Sequence, residues 1–267
     1  MRPRAGFALR MLRIAFRLVW CVVPLRSAVR RWWPPMHLRV GGHTMLLHPG
    51  DNLTERFMWL RGMRYEAASI GRLTLLVAGK RALVLDIGAN CGAFTVPLAT
   101  AAAAGSRIIA FEPNPIMATR LKANLELNDL SDRVEHEEVA VGRNESVANL
   151  HLENLNLGAS SLLSVESGNT IPVTVRPLTH YVPEQMTNYE TFIIKIDAEG
   201  FEDEVLIPFF NAASPTSKPD AILMETGRSD LWSADPIGVL TGHGYVAHFE
   251  GEDGNTLFLR AKEAMLA

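Results

Sequence analysis

Apolar and polar positions along this chain switch between two periods. From residue 82 onward, short apolar runs of strand length alternate with stretches of helical spacing. ALVLD (82–86), RIIAFE (107–112), VEHEEVAV (134–141), TFIIKID (191–197) and AILMET (221–226) read as strands. AFTVPLATAAAA (93–104), residues 115–127 and residues 200–213 read as the helices between them, with Gly105 ending the first. YVAHF (245–249) and TLFLR (256–260) read as a final antiparallel pair, because only a short glycine-containing turn joins them. Ahead of this body, HLRVGGHTMLLH (37–48) reads as two short strands around Gly41-Gly42. Asn52 is placed to cap a helix with Glu55 at the capping-box position, and a second helix runs to Ala78 before Gly79. Strands alternating with helices give an α/β fold with a doubly wound, mostly parallel sheet covered on both faces. Its ligands belong beyond the carboxyl ends of the strands, where the strand order reverses. The expected divisions are a basic segment 1–35, a hairpin-and-helix segment 36–79, and a ligand-binding domain 80–267.

Charge changes the picture at the N-terminus. Residues 1–40 hold nine arginines and no acid, and the first acid is Asp51. The remainder carries 17 basic and 29 acidic groups, so a cationic segment precedes an acidic body. That body is the wrong sign for a nucleic-acid binder. In FALRMLRIAFRLVWCVVPL (7–25), Arg10, Arg13 and Arg17 share one helical stripe among apolar residues, and Arg30, Arg31, Trp32 and Trp33 extend the pattern. Three readings fit: a helix in a membrane interface, a helix docked on the body, or a tail. A secretory signal fits poorly, since Arg13 and Arg17 interrupt the apolar stretch. An organelle transit peptide shares the lack of acids but wants more serine. No run of about 18 apolar residues offers a transmembrane helix. With 48% hydrophobic residues there is ample material for a core, which excludes disorder. Cys21 and Cys91 are too few for a disulfide framework or a zinc finger, and both read as reduced, in keeping with a cytoplasmic setting.

Chemistry collects at the strand ends. The first strand runs into Asp86-Ile87-Gly88-Ala89-Asn90-Cys91-Gly92, a D-x-G-x-N-x-G turn rather than the dinucleotide G-x-G-x-x-G. A carboxylate at Asp86 repels a pyrophosphate but suits a ligand bearing an ammonium and a sulfonium, which describes S-adenosylmethionine. The plain alternative is a helix-capping acid. Glu112 ends the second strand and is placed to accept from both ribose hydroxyls of an adenosyl ligand. Glu137 and Glu138 end the third, where the adenine belongs, or else are surface charge. The fourth strand carries Lys195 inside an apolar run and ends in Asp197 and Glu199. A buried lysine needs a partner, and Glu225, Asp197 and Glu199 are the candidates. His180, in a loop before that strand, is a lesser candidate base. Cys91 reads as packing.

VLDIGANCGAFT (84–95), FEPNP (111–115), LKANLELN (121–128), KIDAEGFEDEVL (195–206) and MET (224–226) together resemble the FkbM family of S-adenosylmethionine-dependent methyltransferases. The resemblance spans residues 80–260, with KIDAEGFE its specific part; residues 145–185 match weakly. It implies a class I methyltransferase fold, a seven-stranded sheet with an antiparallel last strand, and O-methyl transfer to hydroxyls of sugars, glycans or secondary metabolites. On that reading Asp86, Gly88, Asn90, Gly92, Glu112 and Glu138 bind the cofactor. Glu199 or Asp197 acts as base, with Lys195 tuning the carboxylates. No metal ligand is assigned, although the same acids could bind a divalent cation instead. The loop-rich stretch 153–169 is the expected cover over a substrate. The rival readings are a nicotinamide-dependent oxidoreductase and a non-catalytic membrane-associated scaffold.

Overall fold

The computed structural model describes residues 11–15, 33–62, 65–153, 156–163, 169–251 and 254–261. The chain divides into two compact units, Met1–Tyr65 and Glu66–Ala267. In the first, strands β1 (Met36–Val40) and β2 (His43–Leu47) form the expected hairpin, with left-handed Gly41 and Gly42 at its turn. Asn52 caps helix α1 (Leu53–Arg61) by accepting from the Glu55 amide. Glu55 accepts from the backbone amide of His48, seven residues back. Of the basic amphipathic segment, residues 7–10 and 16–32 lie outside the described residues. Residues 11–15 are helical, with Met11, Leu12 and Ile14 exposed and Arg13 over the Trp59 ring. Among the described residues no helix is long and apolar enough to cross a membrane.

The second unit begins ahead of residue 80, because helix α2 (Ala67–Val77) packs with the sheet. Leu73 and Val77 are fully buried, and Asn255 donates to Glu66 at the helix N-cap. The main sheet has seven strands. Five are parallel: β3 (Ala82–Ile87), β4 (Arg107–Phe111), β5 (Val134–Glu137), β9 (Thr191–Ile196) and β10 (Ala221–Glu225). The last strand, β12 (Asn255–Arg260), runs antiparallel between β10 and β11 (Tyr245–Glu250). Reading across, the order is β11-β12-β10-β9-β3-β4-β5. β3 and β9 are buried at every position, as apolar runs interrupted only by Asp86 in β3 and by Thr191 and Lys195 in β9 dictate for central parallel strands. The order reverses between them, so the cleft opens at their carboxyl ends.

The run 134–141 is not one strand. β5 stops at Glu137, and Ala140–Val141 becomes β6 in a separate sheet with β8 (Asn169–Arg176) and β7 (Ser146–Leu152). Glu137 and Glu138 break the apolar run, and Ala140 joins a small core with Leu150, Val173 and Val175. Two helices begin two residues later than their spacing suggests. Helix α3 (Thr95–Ala101) follows a turn closed by Gly92 N to Ala89 O, and it ends early because Ala102 bridges to Ala78. Helix α4 (Pro115–Glu126) is capped by Asn114. Helix α5 (Glu202–Ala212) waits on the turn 197–201, whose amides Ala198 and Gly200 donate back to the Glu202 carboxylate. Helix α6 (Pro236–Gly242), capped by Asp235, was not anticipated.

Candidate active site

The turn after β3 sets the floor of the cleft. Gly88 and Asn90 both take left-handed φ, at 73° and 53°, and Gly92 does so at 91°. The two glycines answer to neighbouring protein as much as to any ligand. A Cβ on Gly88 would lie 2.0 Å from the Asp197 carbonyl oxygen, and one on Gly92 would lie 2.9 Å from Leu121 Cδ1. Gly88 thus lets the β3 turn touch the β9 tip backbone to backbone, while Gly92 lets α4 close in. Cys91 is buried in the turn, its carbonyl accepting from Asn124.

Asp86 is fully buried beneath the turn. Its Oδ2 accepts from Thr95 at 2.5 Å, and its Oδ1 lies 3.5 Å from Lys195 Nζ. These two residues are direct neighbours across the β3/β9 ladder, so Asp86 is the principal partner of the buried lysine. Asp197 is the second, at 3.8 Å; no ion pair joins Lys195 to Glu199 or Glu225 among the described residues. Burial pulls Lys195 toward neutrality, but Asp86 first, then Asp197 and Glu112, outweigh it and hold its pKa above the usual lysine value.

Glu112 stands at the tip of β4, only 7% exposed. Its Oε2 accepts from the Asn90 amide at 2.7 Å and its Oε1 from the Asn114 amide at 2.9 Å. Burial drives its pKa up to about 7 against those two hydrogen bonds. Asp197 and Glu199 stand at the tip of β9. Glu199 has left-handed φ, 55°, uncommon for a residue with a side chain and typical of a functional constraint. Its carboxylate pairs with Arg228 from the loop after β10. Burial, reinforced by Asp197, raises the Glu199 pKa to about 7 in spite of Arg228. Glu225, at the β10 tip, is pushed up to about 9 by burial and by the charges of Asp197, Glu199 and Glu202. One of its carboxylate oxygens lies within 4.8 Å of one of Asp197, and its buried Oε2 has no hydrogen-bond partner among the described residues.

The segment 156–163 spans the strand tips. Asn114 Nδ2 donates to Leu157 O and Ser160 Oγ, and Ser161 Oγ donates to Glu199 O. It therefore runs from the Glu112 side of the cleft to the Glu199 side. A model of the methyltransferase FkbM domain matches residues 86–249, more than half of the chain. The chain belongs to the methyltransferase FkbM family. No curated protein matches it. Among solved structures, the fold is similar to an O-methyltransferase from Bacillus cereus in complex with SAH (20% identity, 72% of this chain and 81% of that one, TM-score 0.41). It is also similar to a methyltransferase FkbM from Methylobacillus flagellatus KT (15% identity, 89% and 58%, TM-score 0.45). A third likeness is to a tRNA (uracil-54, C5)-methyltransferase from Pyrococcus abyssi in complex with S-adenosyl-L-homocysteine (16% identity, 84% and 43%, TM-score 0.45).

In this methyltransferase Glu137 and Glu138 stand at the carboxyl end of β5, beside Glu112, whose amide donates to Glu137 O. Glu138 is half exposed and held by Lys122 of α4 at 2.7 Å, which lowers its pKa. Glu137 accepts from Arg176 and Tyr181. His180 is exposed, and the next residue's carbonyl is held by Arg107, at the opposite end of β4 from Glu112. Glu202, fully buried, accepts from Trp232 as well as from the two turn amides. Asp203 accepts from Ser233 and Ala234, pinning the loop that follows Arg228. Arg228 carried no sequence signal, since only the fold brings it to Glu199, and nothing in the 195–206 motif told that Asp203 would hold the loop at 233–234.

One consequence concerns stability. Glu225 takes up its proton more readily folded than unfolded, so its contribution is full below about pH 4.5 and is lost as pH rises toward about 9. Glu225→Gln keeps a neutral donor toward Asp197 without that loss. Its melting temperature is expected to exceed that of the parent by about 3 °C or more at pH 8.5 and to match it at pH 5. Equal shifts at both pH values in a thermal melt would remove the proton from Glu225.

Proposed function

We propose that this chain is an S-adenosylmethionine-dependent O-methyltransferase acting on a hydroxyl of a sugar, a glycan or a secondary metabolite. The observation that carries this reading is a largely buried carboxylate, Glu199, with a pKa near 7, one strand away from the glycine turn and two from Glu112. The donor set suits the cofactor. Each Glu112 oxygen, after one backbone hydrogen bond, keeps a lone pair for a ribose hydroxyl. Asp86 reaches no ligand directly: it is buried beneath the turn, paired with Lys195 and bonded to Thr95, and so holds the turn from below.

S-adenosylmethionine, when bound, supplies an electrophilic methyl group. An aliphatic hydroxyl attacks poorly until its proton is removed, and Glu199 is tuned to take that proton near neutral pH. Arg228 fixes the carboxylate in the cleft, and the segment 156–163 limits access of water. The arginine-rich segment 7–33 supports peripheral contact with an anionic membrane surface, which favours a lipid-linked glycan among the acceptors. A divalent cation on Asp197, Glu202 and Glu225 is a second reading, because one carboxylate oxygen of each lies within 4.8 Å of the others. Glu202 counts against it, since its two oxygens already accept three N–H groups. Activity lost to a chelator and restored by magnesium would establish it.

The deciding experiment is calorimetric titration with S-adenosylhomocysteine, with NAD as the comparison. Binding of the first alone is expected. Folded protein that binds NAD instead would be the oxidoreductase, and folded protein that binds neither would be the scaffold.

A further inference from the structure

We propose that Lys195 is a positioning residue, a clasp that locks the cofactor turn to the acidic tip of β9 so that the two act as one rigid body. The proposal rests on the methyltransferase reading above. The Lys195 side chain is only 4% exposed, so its ammonium is turned inward on protein groups. Its Nζ donates to the carbonyl of Gly88 at 2.8 Å and that of Ile87 at 3.3 Å, both in the turn. The same nitrogen lies 3.5 Å from Asp86 Oδ1, 3.8 Å from Asp197 Oδ2 and 5.4 Å from the centre of the Phe94 ring.

That geometry answers a physical need. The Asp197 amide donates to Ile87 O, and the Asp197 carbonyl is pressed against Gly88, with no room even for a methyl group between them. The turn and the tip therefore meet backbone to backbone. Such contact brings the carbonyls of Ile87 and Gly88 and the carboxylates of Asp86 and Asp197 toward one point, and like partial charges there repel. One buried ammonium with three donors holds them together. A plain alternative gives Lys195 only one task, neutralising Asp86, because a buried carboxylate left without its partner is strongly destabilising.

Removing both charges separates the two roles. In Asp86→Asn the clasp on Ile87 O and Gly88 O remains; in Asp86→Asn/Lys195→Met it is gone, yet no buried charge is orphaned. The clasp predicts that the double variant, freed of the buried ammonium that Asp86→Asn leaves with Asp197 alone, melts no lower than Asp86→Asn yet binds S-adenosylhomocysteine about tenfold or more weakly by calorimetry. Equal affinity in the two variants would reduce Lys195 to a counter-ion. If parent protein binds no S-adenosylhomocysteine, the methyltransferase reading has failed instead, so the two failures are distinct. Should the double variant not fold, parent protein labelled at lysine and glycine gives a second measurement. A coupling from ¹⁵Nζ of Lys195 through the hydrogen bond to the ¹³C carbonyl of Gly88 is expected, and its absence in folded protein would overturn the clasp.

Discussion

Glu199→Gln is expected to lower turnover by about 10²–10⁴-fold, the range for loss of a positioned general base, on whichever hydroxyl acceptor an activity screen identifies. Glutamine keeps the shape and still accepts from Arg228, but it cannot take a proton. Affinity for S-adenosylhomocysteine should stay within about threefold, since the residue is placed toward the acceptor. The pH profile gives a second check. With its pKa near 7, Glu199 is increasingly ionised as pH rises through neutrality, so the rate should climb across that range and level above it. Weakening the pair with Arg228 removes a contact that favours the ionised form, so Arg228→Met should move the limb to higher pH. Turnover in Glu199→Gln near that of the parent, with the acid limb intact, would pass the role to Asp197, which stands two residues earlier at the same strand tip.

Much of this site was legible in the sequence. β3 and β9 announced themselves as apolar runs, each interrupted by one charged residue, and the residues just past their ends, Gly88 and Glu199, fell where a doubly wound sheet puts its ligands. The antiparallel pairing of β11 and β12 followed from a short turn. What stayed hidden was lateral. Lys195 faces Asp86 across the ladder, and nothing local says that β9 lies beside β3. Glu138 was a candidate because of chain position, and it stands at the carboxyl end of β5 held by a surface lysine, whereas His180 lies toward the opposite end of the strands. The split of 134–141 between two sheets was invisible to spacing, because Val134, Val139 and Val141 leave an extended reading open across Glu137 and Glu138 without saying which sheet each piece joins. The glycines carried the right signal for a partly different reason, since their missing side chains make room for Asp197 and Leu121.

Glu112→Ala should cost S-adenosylhomocysteine about 10²-fold or more in affinity, because a charge-assisted hydrogen bond is worth about 1.5–3 kcal/mol and this carboxylate offers two ribose hydroxyls one each. Glu112→Gln should fare little better. The Asn90 and Asn114 amides each need an acceptor on this side chain, and the amide nitrogen of glutamine would face one of them donor to donor. The loss should also be reproducible by acid in the parent protein. Glu112 has its pKa near 7 through burial, so protonation below neutrality removes an acceptor. Calorimetry at pH 8 and pH 6 should show weaker binding at the lower value in the parent and a flat response in Glu112→Ala. Parent-like affinity in Glu112→Ala would mean that the tip of β4 does not hold the ribose, and the two backbone amides would then be ordering Glu112 only as a cap on α4.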